Sequence, residues 1–452
     1  MEAKPLTTIE RLRLRAKVDQ AFSPSAPINH FALFAGREEQ VKAISNAIGV
    51  RGRHAILYGD RGVGKTSLVT VLNEIYADLY AGPSGIRIAK VNCDASDDFF
   101  NVWRKMFEKI DLIVEGHDSL PEELDLSDLM PEYVGPGEVS RICETASLGT
   151  RGLVLIFDEF DCLGDKYRSM FAPTIKDLSD NSVSTTILLV GVSQDVKDLI
   201  AEHASVDRCL VQIPMPVMSN EEINQLIDKA ISPLDISIEP SALSMIVLLS
   251  QGLPHYAHLL GQESAYVAVD DGRKHITIDD VNQGITGAIK NARHSTRTDY
   301  QKASEGQRKG TLFPQVLLAC AVAPVDDLGY FSSADVRDPL REITGKPYDI
   351  PNFAQHLDKL SKDEARGPVL EKLDLGYRLR FRFRNPMLRP FVVMRGLTDG
   401  MVTGTLVEKM RSASPSHNTA PPRKRRRKPP PKPKPDEPEL WSTSANEPEQ
   451  PS

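Results

Sequence analysis

Between residues 55 and 192, short apolar runs alternate with helical patterns, in the order "AILY", "IRIAKVNCD", "LVLIFDEFD" and "TTILLVGVSQD". Runs of this length, apolar on both faces and separated by helices, predict strands of a parallel sheet that is covered on both sides. Ahead of them, "FAGREEQVKAISNAI" predicts a turn and then a helix, with Val41, Ile44 and Ile48 at helical spacing. After Pro216 the pattern changes to helix upon helix as far as about Ala292. The first of these starts at Ser219-Asn220-Glu221-Glu222, a capping box in which Ser219 and Glu222 satisfy each other's free amide groups. The last starts at Thr277-Ile278-Asp279-Asp280, with a capping hydroxyl and acids in the first turn. From about Lys309 come the helical runs "LFPQVLLACAVAP", "SSADVRDPLREI" and "PNFAQHLDKLS", then the alternating strand "YRLRFRFRN". Three helices and a strand pair are the order of a winged helix. Beyond about Gly400 the chain is rich in Pro, Ser, Lys and Glu and is expected to stay disordered, because it cannot bury enough apolar surface to offset chain entropy. The expected organisation is an N-terminal extension (1–30), an α/β domain with a parallel sheet (31–216), a helical lid (217–300), a winged-helix domain (305–400) and a basic, proline-rich tail (401–452).

Composition narrows the class. A chain of 452 residues with 40% apolar content can bury a core in each of two or three domains. Cys93, Cys143, Cys162, Cys209 and Cys320 form no C-x-x-C pair, so neither a zinc site nor a disulfide framework is expected. The first 22 residues mix charges without an apolar core, and no stretch approaches the ~18 apolar residues a membrane helix needs. The expectation is a cytoplasmic protein with no membrane partner, or a nuclear one if the host is eukaryotic. The net charge is −7, but residues 423–434, "RKRRRKPPPKPK", hold eight basic and no acidic residues, so the remainder stands at −15. An acidic folded part excludes a uniformly basic nucleic-acid coat and leaves only local basic surfaces. Arg423 to Lys428 reads as a nuclear localisation signal, a polyanion tether or a solvated tail.

The chemistry begins directly behind "HAILY". Gly59-Asp60-Arg61-Gly62-Val63-Gly64-Lys65-Thr66, followed by Ser67, fits G-x-x-x-x-G-K-[ST] in full, between a predicted strand and a predicted helix. The glycines let backbone N–H groups turn inward toward phosphates, Lys65 reaches the β- and γ-phosphates, and Thr66 offers its hydroxyl to Mg²⁺. ATP and Mg²⁺ are the expected ligands. "LVLIFDEFD" ends a fully apolar strand in carboxylates. Asp158 is expected to hold Mg²⁺ directly or through water, and Glu159 to take a proton from the attacking water. Asp161 is read as a surface residue. "TTILLVGVSQD" ends in Ser193 and Gln194, either of which could orient that water, although an ordinary strand exit has the same appearance. Arg208 lies just before a short apolar run and the lid helices, where it could reach the γ-phosphate of a neighbouring subunit or form a surface salt bridge.

Together, "FAGREE", "GDRGVGKTS", "LVLIFDEFD", "TTILLVGVSQ", "SVDRCLVQIPMPVMSNEE" and "QGLPHYAHLL" resemble the AAA+ superfamily, most closely its origin-recognition initiator-like branch and the related STAND switch ATPases. The resemblance runs from Phe34 to Leu397. It implies a P-loop NTPase sheet with an AAA+ lid and an appended winged helix, and it carries Gly36, Arg37 and Glu38 over as adenine-side residues. Two departures stand out. Gln194 replaces the usual strand-end asparagine, and Gly252-Leu253-Pro254-His255 places a histidine where a G-x-x-R pattern would bring an arginine to the γ-phosphate. "GLPH" is closer to the "GLP" box of STAND proteins, which implies a slow switch.

In "YRLRFRFR" the period of two puts Tyr377, Leu379, Phe381 and Phe383 on a core face and Arg378, Arg380, Arg382 and Arg384 on the other, where they could track duplex phosphates. The presumed recognition helix is not notably basic, since Asp358 and Asp363 stand beside Lys359 and Lys362. Two functional readings follow. The first is an ATP-hydrolysing switch that forms homo-oligomers or moves its lid, acting on double-stranded DNA or a DNA-bound partner. The second is a slow regulatory adaptor signalling to a separate effector protein, as in phage defence.

Overall fold

In the computed structural model, the described residues are 6–24, 35–79, 85–115, 134–148, 150–193, 196, 199–200, 206, 208–305, 311–326, 328–374, 379–402 and 406–407. The segment Met1–Pro415 forms one compact unit, and all of these residues lie within it. Five strands make the central sheet: β1 (His54–Gly59), β2 (Ile86–Asn92), β3 (Gly152–Asp158), β4 (Thr185–Val192) and β5 (Leu210–Pro214). Their spatial order is β2-β3-β4-β1-β5, and every pairing is parallel, with Leu57 opposite Val190 and Asn92 opposite Asp158. The apolar runs become strands because both faces are covered. On one face Trp103, Phe107, Phe157, Phe160 and Phe171 pack ring against ring, with Trp103 and Phe157 centroids 4.9 Å apart. On the other, β1 packs against the helix Lys65–Leu79, and this second core continues into the lid and the C-terminal elements.

The helices Asn220–Ile231, Pro240–Ser250, Pro254–Asp270 and Ile278–Asn291 follow β5. Both expected caps are present: Ser219 Oγ accepts from the Glu222 N–H at 3.2 Å, and Thr277 Oγ1 from the Asp280 N–H at 3.4 Å. Two features were not anticipated. Ser237–Ile238 and His275–Ile276 pair as very short parallel strands, and a further helix spans His294–Ser304. The N-terminal helix Thr8–Ala21 packs on Pro254–Asp270 through Leu14, Val18 and Ala21, and Arg15 bridges Asp270 at 2.6 Å.

The C-terminal elements run in the order helix Phe313–Val322, strand Phe331–Ser332, helices Ser333–Thr344 and Ile350–Lys362, strands Leu370–Asp374 and Leu379–Phe383, and helix Leu388–Thr398. Leu379–Phe383 is the central strand of an antiparallel three-stranded sheet. Phe381 and Phe383 point into the core as the alternation predicts, but Leu379 is 42% exposed, because the hairpin has already left the core at its tip. Tyr377 and Arg378 lie outside the described residues. Arg380 is ion-paired with Asp326 and Arg382 with Glu371, both at 2.6 Å, so these arginines already have carboxylate partners. The helix Ile350–Lys362 is similarly balanced, with Asp358 within 3.1 Å of Lys362 and 2.9 Å of Lys372. Leu406 is 2% exposed and joins the core, so the folded part extends past the expected boundary at residue 400. The run Arg423 to Lys428 lies outside the described residues, and none of the described helices is long and apolar enough to cross a membrane.

Candidate nucleotide site

The loop Gly59–Lys65 leaves the end of β1 and enters its helix at Lys65. Gly62 and Gly64 have φ of 89° and 98°, a region that residues with a Cβ rarely enter, and this turns the loop's N–H groups toward one side. A Cβ on Gly64 would lie 3.6 Å from Pro254 Cγ, so the lid touches the loop there. Lys65 is 8% exposed, and its ammonium donates to the Gly59 and Asp60 carbonyls at 2.8 Å each. Burial pushes this group down from 10.5 to about 8, against the pull of Asp161, Asp60 and Asp158.

One cleft of about 830 Å³ gathers most of the expected residues: Asp60 to Ser67 of the loop, Asp158, Glu159, Arg37 and His255. Asp158 ends β3, is 3% exposed, accepts from the Glu159 N–H at 3.0 Å and pairs with Lys90 of β2 at 2.7 Å. Glu159 stands beyond the strand end with φ of 55°, an unusual conformation for a residue with a side chain, and is exposed. Arg37 is 3% exposed. Its N–H donates to Glu222 Oε1 at 3.2 Å, and its guanidinium donates to the Val63 carbonyl at 3.2 Å, which braces the phosphate loop from below. Gly36 sits against Glu222 at the lid cap, while Glu38 faces Lys42 on an exposed helix surface.

Asp161 differs from expectation, and Arg208 takes the salt-bridge alternative. Asp161 is not a simple surface acid: it lines the cleft, and its Oδ1 accepts from the Val192 N–H at 2.7 Å, pinning the end of β4. Arg208 is 65% exposed, bridges Asp180 and does not line this cleft. Gln194 lies outside the described residues. Asn92 at the end of β2, Pro24 and Arg293, which sequence reasoning missed, also reach the cleft, as does Arg384, which it had assigned to duplex phosphates. Of these only Asn92 had a legible signal, since it ends a predicted strand next to Asp158.

The residues fit a nucleoside triphosphate with Mg²⁺. Arg37 Nε, His255 Nε2 and both ring nitrogens of His258 are buried without a hydrogen-bond partner, and unpaired buried polar atoms of this kind are costly unless a bound group or a lid movement satisfies them. No group of three or more His, Cys, Asp or Glu side chains among the described residues could hold a metal by itself. A cation at Thr66 and Asp158 would therefore draw its other ligands from phosphate and water.

Residues 33–190 match the family model described as an AAA ATPase domain. No curated protein sequence matches the chain. Among solved structures, a Walker-type ATPase of Pyrococcus abyssi is 13% identical with a TM-score of 0.50, over 81% of this chain and 98% of that one. Cdc6p of Pyrobaculum aerophilum is 17% identical with a TM-score of 0.42, over 85% of this chain and 99% of that one. ORC2 of Aeropyrum pernix is 13% identical with a TM-score of 0.45, over 87% and 97%. At 13% identity the likeness to the Pyrococcus abyssi ATPase is one of fold alone. With a complete phosphate loop on an all-parallel five-stranded sheet, residues 33–190 match an AAA ATPase domain and take the P-loop AAA+ fold.

Proposed function

We propose that this chain is a Mg²⁺-dependent ATPase that works as an AAA+ switch of the initiator-like or STAND-like type. The observation that carries the reading is the convergence of Lys65, Thr66, Asp158 and Glu159 on one cleft roofed by the lid. Bound Mg²⁺ would polarise the phosphoryl group, with Thr66 and Asp158 holding it. Lys65 would leave its loop carbonyls for the β- and γ-phosphates, and Glu159 would take the proton from water. Arg37 would hold the loop in shape. On this reading 31–216 is the nucleotide-binding domain, 217–300 the lid and 305–400 a winged helix.

Action on DNA is supported by the basic run 423–428 more than by the hairpin, whose Arg380 and Arg382 are engaged by Asp326 and Glu371. Those ion pairs favour the second reading for the C-terminal domain, in which it faces a partner or the ATPase itself. The core test uses two variants. Lys65→Ala should lose ATP binding in a calorimetric titration, whereas Glu159→Gln should bind ATP normally and release no phosphate. Wild-type affinity in the first, or full turnover in the second, would overturn these assignments.

A further inference from the structure

Where the lid of a P-loop ATPase would bring an arginine to the terminal phosphate, this chain has His255. The imidazole cannot take over that role as the structure holds it. Its Nδ1 lies 2.6 Å from the Pro24 carbonyl, which only accepts, so Nδ1 carries the proton. Burial, with Arg293 nearby, keeps the ring neutral near pH 7, so Nε2 is a bare lone pair and has nothing to donate to a phosphate oxygen. Two other cations are also committed. Arg208 is outside the cleft against Asp180, and the Arg37 guanidinium is turned onto Val63.

Besides Arg61, an exposed residue of the phosphate loop itself, the cleft contains two arginines from distant segments, both exposed and neither with a carboxylate partner among the described residues. Arg293 immediately precedes the helix His294–Ser304. Arg384 follows the last strand, and its Nε donates to the Leu370 carbonyl at 3.1 Å, which fixes the root of the guanidinium and leaves its terminal N–H groups without a partner among the described residues. The segment after Arg384 lies over the phosphate loop. A Cβ on Gly62 would come within 2.4 Å of Met387 Sδ, and Tyr256 Oη donates to the Met387 carbonyl at 2.7 Å in a buried bond. Five carboxylates line the same cleft, Asp60, Asp158, Glu159, Asp161 and Asp299, against which the loop itself sets only Arg61 and Lys65, so an incoming triphosphate gains from further cations.

We infer that Arg293 and Arg384 are the terminal-phosphate-binding cations of this site, supplied by the chain itself, so that the site is complete within one copy. The inference rests on the nucleotide-binding reading above and goes beyond it by replacing both the lid arginine and a neighbour's arginine. A charge-assisted bond to phosphate contributes about 1.5–3 kcal/mol, or roughly 10- to 100-fold in affinity.

The test is calorimetric titration of the full chain with ATP and with ADP, both with Mg²⁺, for the wild type, Arg293→Ala, Arg384→Ala and the corresponding lysine variants. Each alanine variant should weaken ATP by about 10-fold or more and ADP by less than about 2-fold, and lysine should recover part of the loss. The wild-type preference for ATP over ADP should be the same in dilute solution, where light scattering finds a monomer. Equal losses for the two nucleotides, no loss for either, or a preference that appears only on association would each overturn the proposal. A wild-type chain that binds neither nucleotide would instead sink the nucleotide reading on which it rests.

Discussion

Two buried histidines and one half-buried one should make the fold sensitive to mild acid. His54, on β1, is fully buried. Its Nδ1 accepts from the Ile187 N–H at 3.0 Å, and its Nε2 has no partner. Burial pushes its pKa from 6.5 to about 4, and His255 and His258 reach about 4 chiefly for the same reason. Above 6.5 each ring is neutral in both folded and unfolded chains, so none affects stability. As pH falls through 6.5 the unfolded chain takes up protons that the folded one refuses, and stability is lost until about pH 4. Between about pH 7 and about pH 5, one such histidine costs about 2 kcal/mol, and the three together about 5 kcal/mol, with His255 contributing least because it is partly exposed. That is comparable to the whole stability of many domains. Guanidinium unfolding at the two pH values, for the wild type and for His54→Asn, checks the sum. The amide offers an acceptor to Ile187 and does not titrate, so the variant should lose about 2 kcal/mol less than the wild type over this window, although it starts lower because of the cavity it leaves. Carboxylates titrating in the same range cancel in the comparison. Identical losses in both proteins would refute the argument for His54.

Three further outcomes follow from the geometry. Gly252 has φ of +75°, and a Cβ there would sit 2.5 Å from the Met218 carbonyl, so Gly252→Ala should lower the unfolding free energy by about 2 kcal/mol or more, measured by chemical denaturation. Arg208→Ala removes an exposed ion pair with Asp180, worth about 0–1 kcal/mol, and should leave both ATP turnover and its dependence on protein concentration unchanged in a phosphate-release assay. Truncation after Pro415 removes the basic run but keeps Leu406 in the core. It should leave the thermal midpoint unchanged while weakening double-stranded DNA binding and flattening its salt dependence in a fluorescence titration.

What the sequence discloses depends on whether a feature is local. Strands β1, β3 and β4 are buried on both faces and so appear as unbroken apolar runs. Strand β5, "LVQIP", lies at the sheet edge with Gln212 exposed, and reads only as a short apolar run. The helix His294–Ser304 buries only Thr296 and Ala303 and leaves almost no periodic signal. The phosphate loop is legible because its chemistry needs fixed residue types at fixed spacing along one stretch. Arg293 and Arg384 reach the same cleft from residues hundreds of positions downstream, and an isolated arginine carries no mark of its destination. The alternation in "YRLRFRFR" correctly turns Phe381 and Phe383 inward. It cannot show that Asp326 and Glu371, on other segments, wait for Arg380 and Arg382.

The start of the helix Pro254–Asp270 joins the lid to the phosphate loop, to the segment after the N-terminal helix and to the segment after the last strand. Three consecutive residues there each meet a different part of the molecule: Pro254 meets Gly64 of the loop, His255 holds the Pro24 carbonyl at 2.6 Å, and Tyr256 holds the Met387 carbonyl at 2.7 Å. Hydrogen bonds this short weaken once donor and acceptor separate by more than about half an ångström. A helix is stiff over one turn, so a shift of Pro254 away from the loop, as phosphates enter, cannot spare its two neighbours. Either Pro24 and Met387 move with the helix, or both bonds break and leave the buried Met387 carbonyl to find another donor, at about 1–3 kcal/mol, while the half-buried Pro24 carbonyl can turn to water. Gly252, directly ahead of this turn, is where the backbone bends to place it. The segments around Pro24 and Met387 are thereby tied to the same lid turn that lines the nucleotide cleft.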